Sequence, residues 1–156
     1  MAAAADRGRG GAFAALAAVT VAFGLSMFAV PGGIAGHDEF RNNDWLNCRS
    51  FDAFTRHAIL EDGQFPLRSH LFGGGFPVIA HPSDGSWAPT IIPTLLFGDV
   101  VGVKLVILAF ILLGAWGVRG LARDWLGLQE PAALWAAGLF AVSGWALSMI
   151  LVGFYN

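Results

Sequence analysis

The sequence predicts an all-α membrane protein with three transmembrane helices and a long outer loop that carries an amphipathic surface helix. Apolar residues make up 56% of the 156 residues, charged residues make up only 13%, and the mean hydropathy is +0.62. A soluble domain usually carries about 25% charged residues, so the composition excludes that class. It also excludes intrinsic disorder, because disordered chains are polar or highly charged.

The predicted spans cover residues 12–30, 100–118 and 132–153. Each approaches the roughly 20 apolar residues that a bilayer crossing requires, and only the second contains a charged residue, Lys104. We expect helices, because lipid offers the backbone no hydrogen-bond partners. A basic N-terminus before the first span also fits a cleaved signal peptide. Because the apolar stretch is longer than the usual 7–15 residues or so, we predict an uncleaved anchor.

The orientation follows from the arginines in the short segments next to the spans. Residues 1–11 and residues 119–131 each contain two arginines, and the positive-inside rule assigns such segments to the cytoplasm. Residues 31–99 then form a single outer loop. This loop holds eight of the eleven acidic residues and all four histidines, although it also holds four of the arginines.

The outer loop is far longer than a connection between two helices needs to be, which indicates a folded or functional segment. The spacing of apolar residues over 44–62 predicts an amphipathic helix that lies on the membrane surface or packs on the spans. Asp44 can cap its start, Gly63 ends it, and Pro66 prevents its continuation. The predicted apolar face comprises Trp45, Cys48, Phe51, Ala58 and Ile59, with Phe54 at its flank.

Glycine and proline residues dominate residues 65–89, so we expect turns there and no regular structure. The triple glycine at 73–75 is not a phosphate-binding P-loop, because no Gly-Lys-Ser/Thr follows it. It is expected to let the backbone bend or pack closely. The histidines lack the spacing of a metal site, and the single cysteine, Cys48, cannot form an internal disulfide.

Residues 90–99 are predicted to form a short membrane-surface or re-entrant segment that leads into the second span. Asp99 and Lys104 are expected to form a charge pair at the outer rim. The alternative is that Lys104 contacts a substrate, because an ionisable residue inside a span is energetically costly and often functional. The small-xxx-small spacing of Gly98 and Gly102 favours close helix packing.

Three short motifs occur in a recognisable order: Asp-Trp at 44–45, Gly-Gln-Phe-Pro at 63–66, and Gly-Gly-Gly-Phe-Pro at 73–77. In this order the chain resembles the N-terminal part of bacterial GT-C superfamily membrane glycosyltransferases, especially the YfhO-type and related groups. The resemblance runs over residues 12–153. It implies a partial GT-C-like architecture in the bacterial inner (plasma) membrane, multi-pass, with a cytoplasmic N-terminus.

GT-C enzymes transfer a sugar from a polyprenyl-phosphate carrier to an acceptor on the outer membrane face, and their first outer loop supplies an essential acidic residue. The resemblance therefore implies Asp38, Glu39 and Asp44 as catalytic candidates, and the choice among them stays open. A positioned carboxylate can remove the proton of an acceptor hydroxyl. The departing lipid phosphate needs cationic stabilisation. The candidate cations are Arg41, Arg68 and Lys104.

No organic cofactor is predicted, and a divalent cation on the loop carboxylates is left open. Nine basic against eleven acidic residues, without a basic cluster, argue against nucleic acid. Because GT-C enzymes are longer, we expect a fragment, or a subunit completed by a second membrane chain. The alternative is a non-catalytic three-span protein that docks a partner through its outer loop, with Trp87 and Phe76 as anchors. The interpretation as a segment of a transporter has weaker support, since the sequence contains no internal repeat.

Overall fold

The computed structural model describes most of the chain from residue 45 to residue 144. This part is mostly helical and contains four helices and one pair of short strands. Chain contacts divide it into two compact units, one within residues 45–107 and one within residues 108–144. The described residues are 14, 17–18, 45–70, 73–79, 81–82 and 84–144.

Helix α1, Trp45–Leu60, lies within the range 44–62 for which the sequence predicted a helix. Its buried side chains follow a 3, 4 and 7 spacing that places them on one face. Phe54 is buried at the flank of this face, whose centre is near Phe51, while Ile59 is only partly buried. Beyond the helix, Gly63 has φ +63° and the Gln64 N–H donates to the Ala58 carbonyl at 2.9 Å, which is a glycine-dependent helix end.

The core of the first unit joins α1 to the glycine-rich stretch that follows it. Phe51, Phe54 and Ala58 pack with Val78, which is completely buried, and Phe76 packs against this cluster. The Val78 N–H also donates to the Leu67 carbonyl at 3.1 Å. The stretch is thus anchored on the apolar face of α1.

Two short strands, β1 (Arg68–Ser69) and β2 (Phe76–Pro77), pair antiparallel in this stretch. Arg68 lies opposite Pro77, and Ser69 lies opposite Phe76. The prediction of turns without regular structure is wrong for these four residues. The glycines at 73–75 all have positive φ, which lets the chain reverse at low steric cost and brings the strands together.

Helix α2, Ile91–Phe97, ends at Gly98, and helix α3, Asp99–Gly120, begins directly after it. Gly98 has φ +89° and connects the two helices. Gly102 packs on α2 so closely that an added Cβ would lie 2.5 Å from the backbone nitrogen of Thr94. Close packing is therefore confirmed at Gly102 but not at Gly98. The membrane position of this segment stays a prediction.

Helix α3 continues as a π-helical turn, Leu121–Trp125. Together they form a helix of 27 residues, Asp99–Trp125, with a mean hydropathy of 2.3 over its most apolar window. At about 1.5 Å per residue it measures roughly 40 Å, which is long enough to cross a membrane. It contains the second predicted span and extends beyond both ends. Within the described residues it is the one helix of such length and composition, and most of the first predicted span lies outside them.

The end of α3 is tied to the start of helix α4, Glu130–Ala141. Arg119 Nη2 lies 2.6 Å and Arg123 Nη1 lies 3.1 Å from the carboxylate oxygens of Glu130. A glutamate in the first turn also interacts favourably with the helix N-terminus. The predicted cytoplasmic segment 119–131 is therefore helical as far as Trp125 and bridged by two ion pairs.

Helix α4 has 12 residues and ends where the third predicted span was expected to continue. Val142 is a turn residue and Ser143 is not helical, so the helix predicted over 132–153 is interrupted there. Valine, serine and glycine at 142–144 all have lower helix propensity than alanine or leucine, which favours an interruption at this place. Residues 145–156 lie outside the described part.

Candidate functional site

Two of the six site residues proposed from the sequence fall within the described residues. Arg68 and Lys104 both belong to the unit within residues 45–107. The other four lie outside the described residues, so their place relative to Arg68 stays a prediction. They are Asp38, Glu39, Arg41 and Asp44.

Arg68 is an exposed residue on strand β1, and its guanidinium lies against Gly75. A Cβ added to Gly75 would be 2.6 Å from Arg68 Nη2 and 3.1 Å from Nε. Among the described residues, Arg68 has no ion-pair partner, whereas Arg49, Arg119 and Arg123 each contact a carboxylate. Arg68 is thus an exposed cation that lies beside Gly75 and is available to an anion.

Lys104 lies in the first part of α3 and has no exposed surface. A buried ammonium is costly unless it is partnered, and Lys104 does take part in a polar or charged interaction. The sequence suggested a position at the outer rim, but the side chain has no exposed surface.

Asp99, the expected partner of Lys104, forms an ion pair with Arg49 of α1. Arg49 Nε donates to Asp99 Oδ2 at 2.6 Å, and about a quarter of each side chain is exposed. The bond links residues that are 50 positions apart and joins the loop helix to the first turn of α3. Such a charge-assisted hydrogen bond is among the stronger kinds, so it fixes the loop unit at the start of the membrane-length helix.

A polar network that the sequence did not predict holds the second half of the loop on α1. Asp84 Oδ1 accepts from the Ser86 N–H at 3.0 Å and from the Ser86 hydroxyl. The Ser86 hydroxyl is also 2.7 Å from Thr55 Oγ1, and both residues are buried. An aspartate that bonds the backbone two residues ahead is a familiar turn signal, but nothing local points to Thr55, which is 31 positions away.

The histidine at 81 belongs to the packing of this loop. Its ring stacks on Phe51 at a centroid distance of 4.5 Å and meets the edge of Phe76 at 5.4 Å. Among the described residues, no group of three or more histidine, cysteine or acidic side chains is arranged to hold a metal ion.

The two aromatic residues suggested as docking anchors differ in exposure. Trp87 is 63% exposed and packs on Phe65, itself 43% exposed, at a centroid distance of 4.4 Å. Phe76 is instead partly buried against the core of its unit. An exposed anchor at Trp87 is consistent with the structure. The expectation that Phe76 is an exposed anchor is wrong, because Val78 and Phe76 pack against the buried residues of α1.

No family model, no curated protein and no solved structure matches this chain.

Proposed function

We propose that the chain is the N-terminal module of an integral membrane glycosyltransferase. It transfers a sugar from a polyprenyl-phosphate carrier to an acceptor on the outer membrane face, either as part of a larger enzyme or together with another chain. The observation that supports this most strongly is the exposed Arg68, which has no ion-pair partner among the described residues, in a unit joined to the start of a membrane-length helix. The motif order of the same loop supports the same class of enzyme.

The proposed membrane arrangement has three spans, with residues 100–118 of α3 as the second and a third over residues 132–153 that is interrupted at residues 142–143. In this proposal residues 31–99 face the outer surface and residues 119–131 face the cytoplasm, as the positive-inside rule predicts. Exposed aromatic residues such as Trp87 favour the membrane–water interface, where an amphipathic ring is best accommodated.

The proposed reaction divides the work between carboxylates and cations. One of Asp38, Glu39 and Asp44 accepts the proton of the acceptor hydroxyl. The hydroxyl oxygen forms a bond to the anomeric carbon as the bond from that carbon to the phosphate oxygen breaks. The bonding electrons leave with the lipid phosphate, and Arg68 stabilises its growing negative charge by paired hydrogen bonds.

A second candidate function is docking of a partner protein through the outer loop. The observation that favours it is the exposed pair of Phe65 and Trp87, since exposed tryptophan often anchors an interface. This function requires no carboxylate chemistry, so the two candidates respond differently to the same set of variants.

A transfer assay in native membranes tests the proposed function. Membranes from source cells that contain or lack the chain are supplied with radiolabelled polyprenyl-phosphate glucose or mannose, and labelled acceptor is counted after the lipid is extracted. We expect transfer that depends on the chain, because the proposed module positions the donor phosphate. Equal transfer with and without the chain, together with loss of a co-purifying protein from Trp87→Ala, contradicts the enzyme and supports docking.

A further inference from the structure

We infer that helix α2 enters the outer leaflet of the membrane beside the start of α3, and that its exposed side chains contact the acyl chains of lipids. The partner of this helix face is therefore the hydrocarbon of the bilayer. The inference rests on the proposed membrane arrangement, in which α3 is a span, and it is independent of sugar transfer. For residues 90–99 the sequence left a surface position and a re-entrant position open, and the packing described below favours the re-entrant one.

The two sides of α2 have different surroundings. Ile91 and Thr94 are buried, whereas Ile92, Leu96 and Phe97 are between 53% and 70% exposed. Residues 85–98, which include the whole helix, contain no charged residue. An apolar face of this kind marks a site that contacts a partner or a membrane.

The contact between α2 and α3 fixes the level of this face along the span. A Cβ added to Gly102 would lie 2.5 Å from the backbone nitrogen of Thr94, so the two backbones are in close contact there. Gly102 is the fourth residue of α3, about 5 Å along the helix axis from its start, and it lies within the predicted span 100–118. Helix α2 thus lies beside the first turn of α3, and at this level of a span the exposed side chains meet lipid.

The backbone at both ends of α2 is compatible with an apolar environment. Lipid offers no partner to an N–H group, so such groups must be satisfied within the protein. The N–H groups of Ile91 and Ile92 donate to the carbonyls three residues before them, at 3.0 and 3.2 Å. At the other end, the Gly98 N–H donates to the Thr94 carbonyl at 3.0 Å. The turns that flank α2 therefore satisfy these donors without water.

The charged residues at the start of α3 are also compatible with lipid beside α2. A charge that faces hydrocarbon is costly unless it is paired or hidden. Asp99 forms its ion pair with Arg49. Lys104, one turn further along, has no exposed surface and takes part in a polar or charged interaction. Neither residue presents an unpaired charge to the surrounding lipid.

Fluorescence quenching of the full chain in phosphatidylcholine liposomes tests the inference. Single cysteines are introduced by Leu96→Cys or Ile92→Cys in a Cys48→Ala background and labelled with a bimane fluorophore. The quenchers are aqueous iodide, lipid with a nitroxide near the headgroup end of its acyl chain, and lipid with a nitroxide near the chain terminus. Circular dichroism checks that each labelled variant keeps its helix content.

Two control positions calibrate the measurement. Glu61→Cys places the label at an exposed charged position just beyond α1, where we expect quenching by iodide. Leu113→Cys places it at an exposed position inside the predicted span, where we expect quenching mainly by the deeper nitroxide. At Leu96 and Ile92 we expect stronger quenching by the shallow nitroxide than by the deep one, and much weaker quenching by iodide than at Glu61.

The other outcomes overturn the inference in distinguishable ways. Iodide quenching at Leu96 and Ile92 as strong as at Glu61 places α2 in water, and the proposed span stands if Leu113 is still quenched by lipid. Weak quenching by all three agents at Leu96 and Ile92 means that protein covers this face. Iodide quenching at Leu113 as strong as at Glu61 contradicts both the inference and the membrane arrangement. The expected pattern together with a failed transfer assay supports the lipid contact and contradicts the enzyme alone.

Discussion

Sugar transfer is expected to fall by about 10²- to 10⁴-fold when the catalytic carboxylate is replaced by its amide. The variants are Asp38→Asn, Glu39→Gln and Asp44→Asn, and one of them is expected to show the full loss because a carboxamide cannot accept the acceptor proton. The size and polarity of the side chain are nearly unchanged, so the fold is expected to persist. The measurement is the initial rate of label transfer in membranes with equal amounts of each variant.

Asp62→Asn is the control for this series. Asp62 is an exposed carboxylate of the same loop, and its Oδ2 lies 3.9 Å from His57 Nε2 just beyond the end of α1. It has no assigned role in transfer, and loss of so weak and exposed a contact costs little, so we expect an unchanged rate. If all three candidate variants transfer sugar as fast as Asp62→Asn, the carboxylate mechanism is wrong.

Replacement of Gly102 by alanine is expected to destabilise the unit within residues 45–107 by about 1–3 kcal/mol or more. The new methyl would meet backbone atoms of Pro93 and Thr94 within 2.7 Å. Backbone cannot rotate away, so α2 must separate from α3. Thermal unfolding of the protein in detergent, followed by circular dichroism, measures this loss.

Gly117→Ala is the matched control on the same helix. A Cβ at Gly117 would meet nothing within 4 Å, and alanine favours a helix over glycine by about 0.5–1 kcal/mol. We therefore expect an equal or higher unfolding temperature for Gly117→Ala and a lower one for Gly102→Ala. Equal shifts for the two variants contradict the close packing of α2 on α3.

The parts of the fold that follow a period or a length were predictable from the sequence. Helix α1 follows a 3.6-residue period, and α3 was recognisable from its long apolar composition. The continuation of this helix to Trp125 was not predictable. Arg119 and Arg123 are charged residues that suggest a loop, and only the structure shows that both form ion pairs with Glu130. Strands of two residues are too short to show an alternating pattern.

The candidate site was predictable only in its residue types. Resemblance to a family pointed to Arg68, but its position beside Gly75 depends on the pairing of β1 with β2, which the sequence did not predict. The position of Lys104 near the end of an apolar stretch suggested a rim, whereas the folded chain leaves this side chain without exposed surface. The bond from Arg49 to Asp99 connects residues 50 positions apart, which local reasoning cannot pair.

Photo-crosslinking of the carrier in native membranes tests the central claim most directly. A diazirine-bearing polyprenyl-phosphate sugar is activated by light, and the labelled peptides of the full chain are identified by mass spectrometry. The account predicts labelling within residues 31–99, including the hairpin around Arg68, and its loss when excess unlabelled polyprenyl phosphate is present. Labelling that spares this loop, or that persists with an analogue lacking the phosphate, contradicts a carrier site in the outer loop.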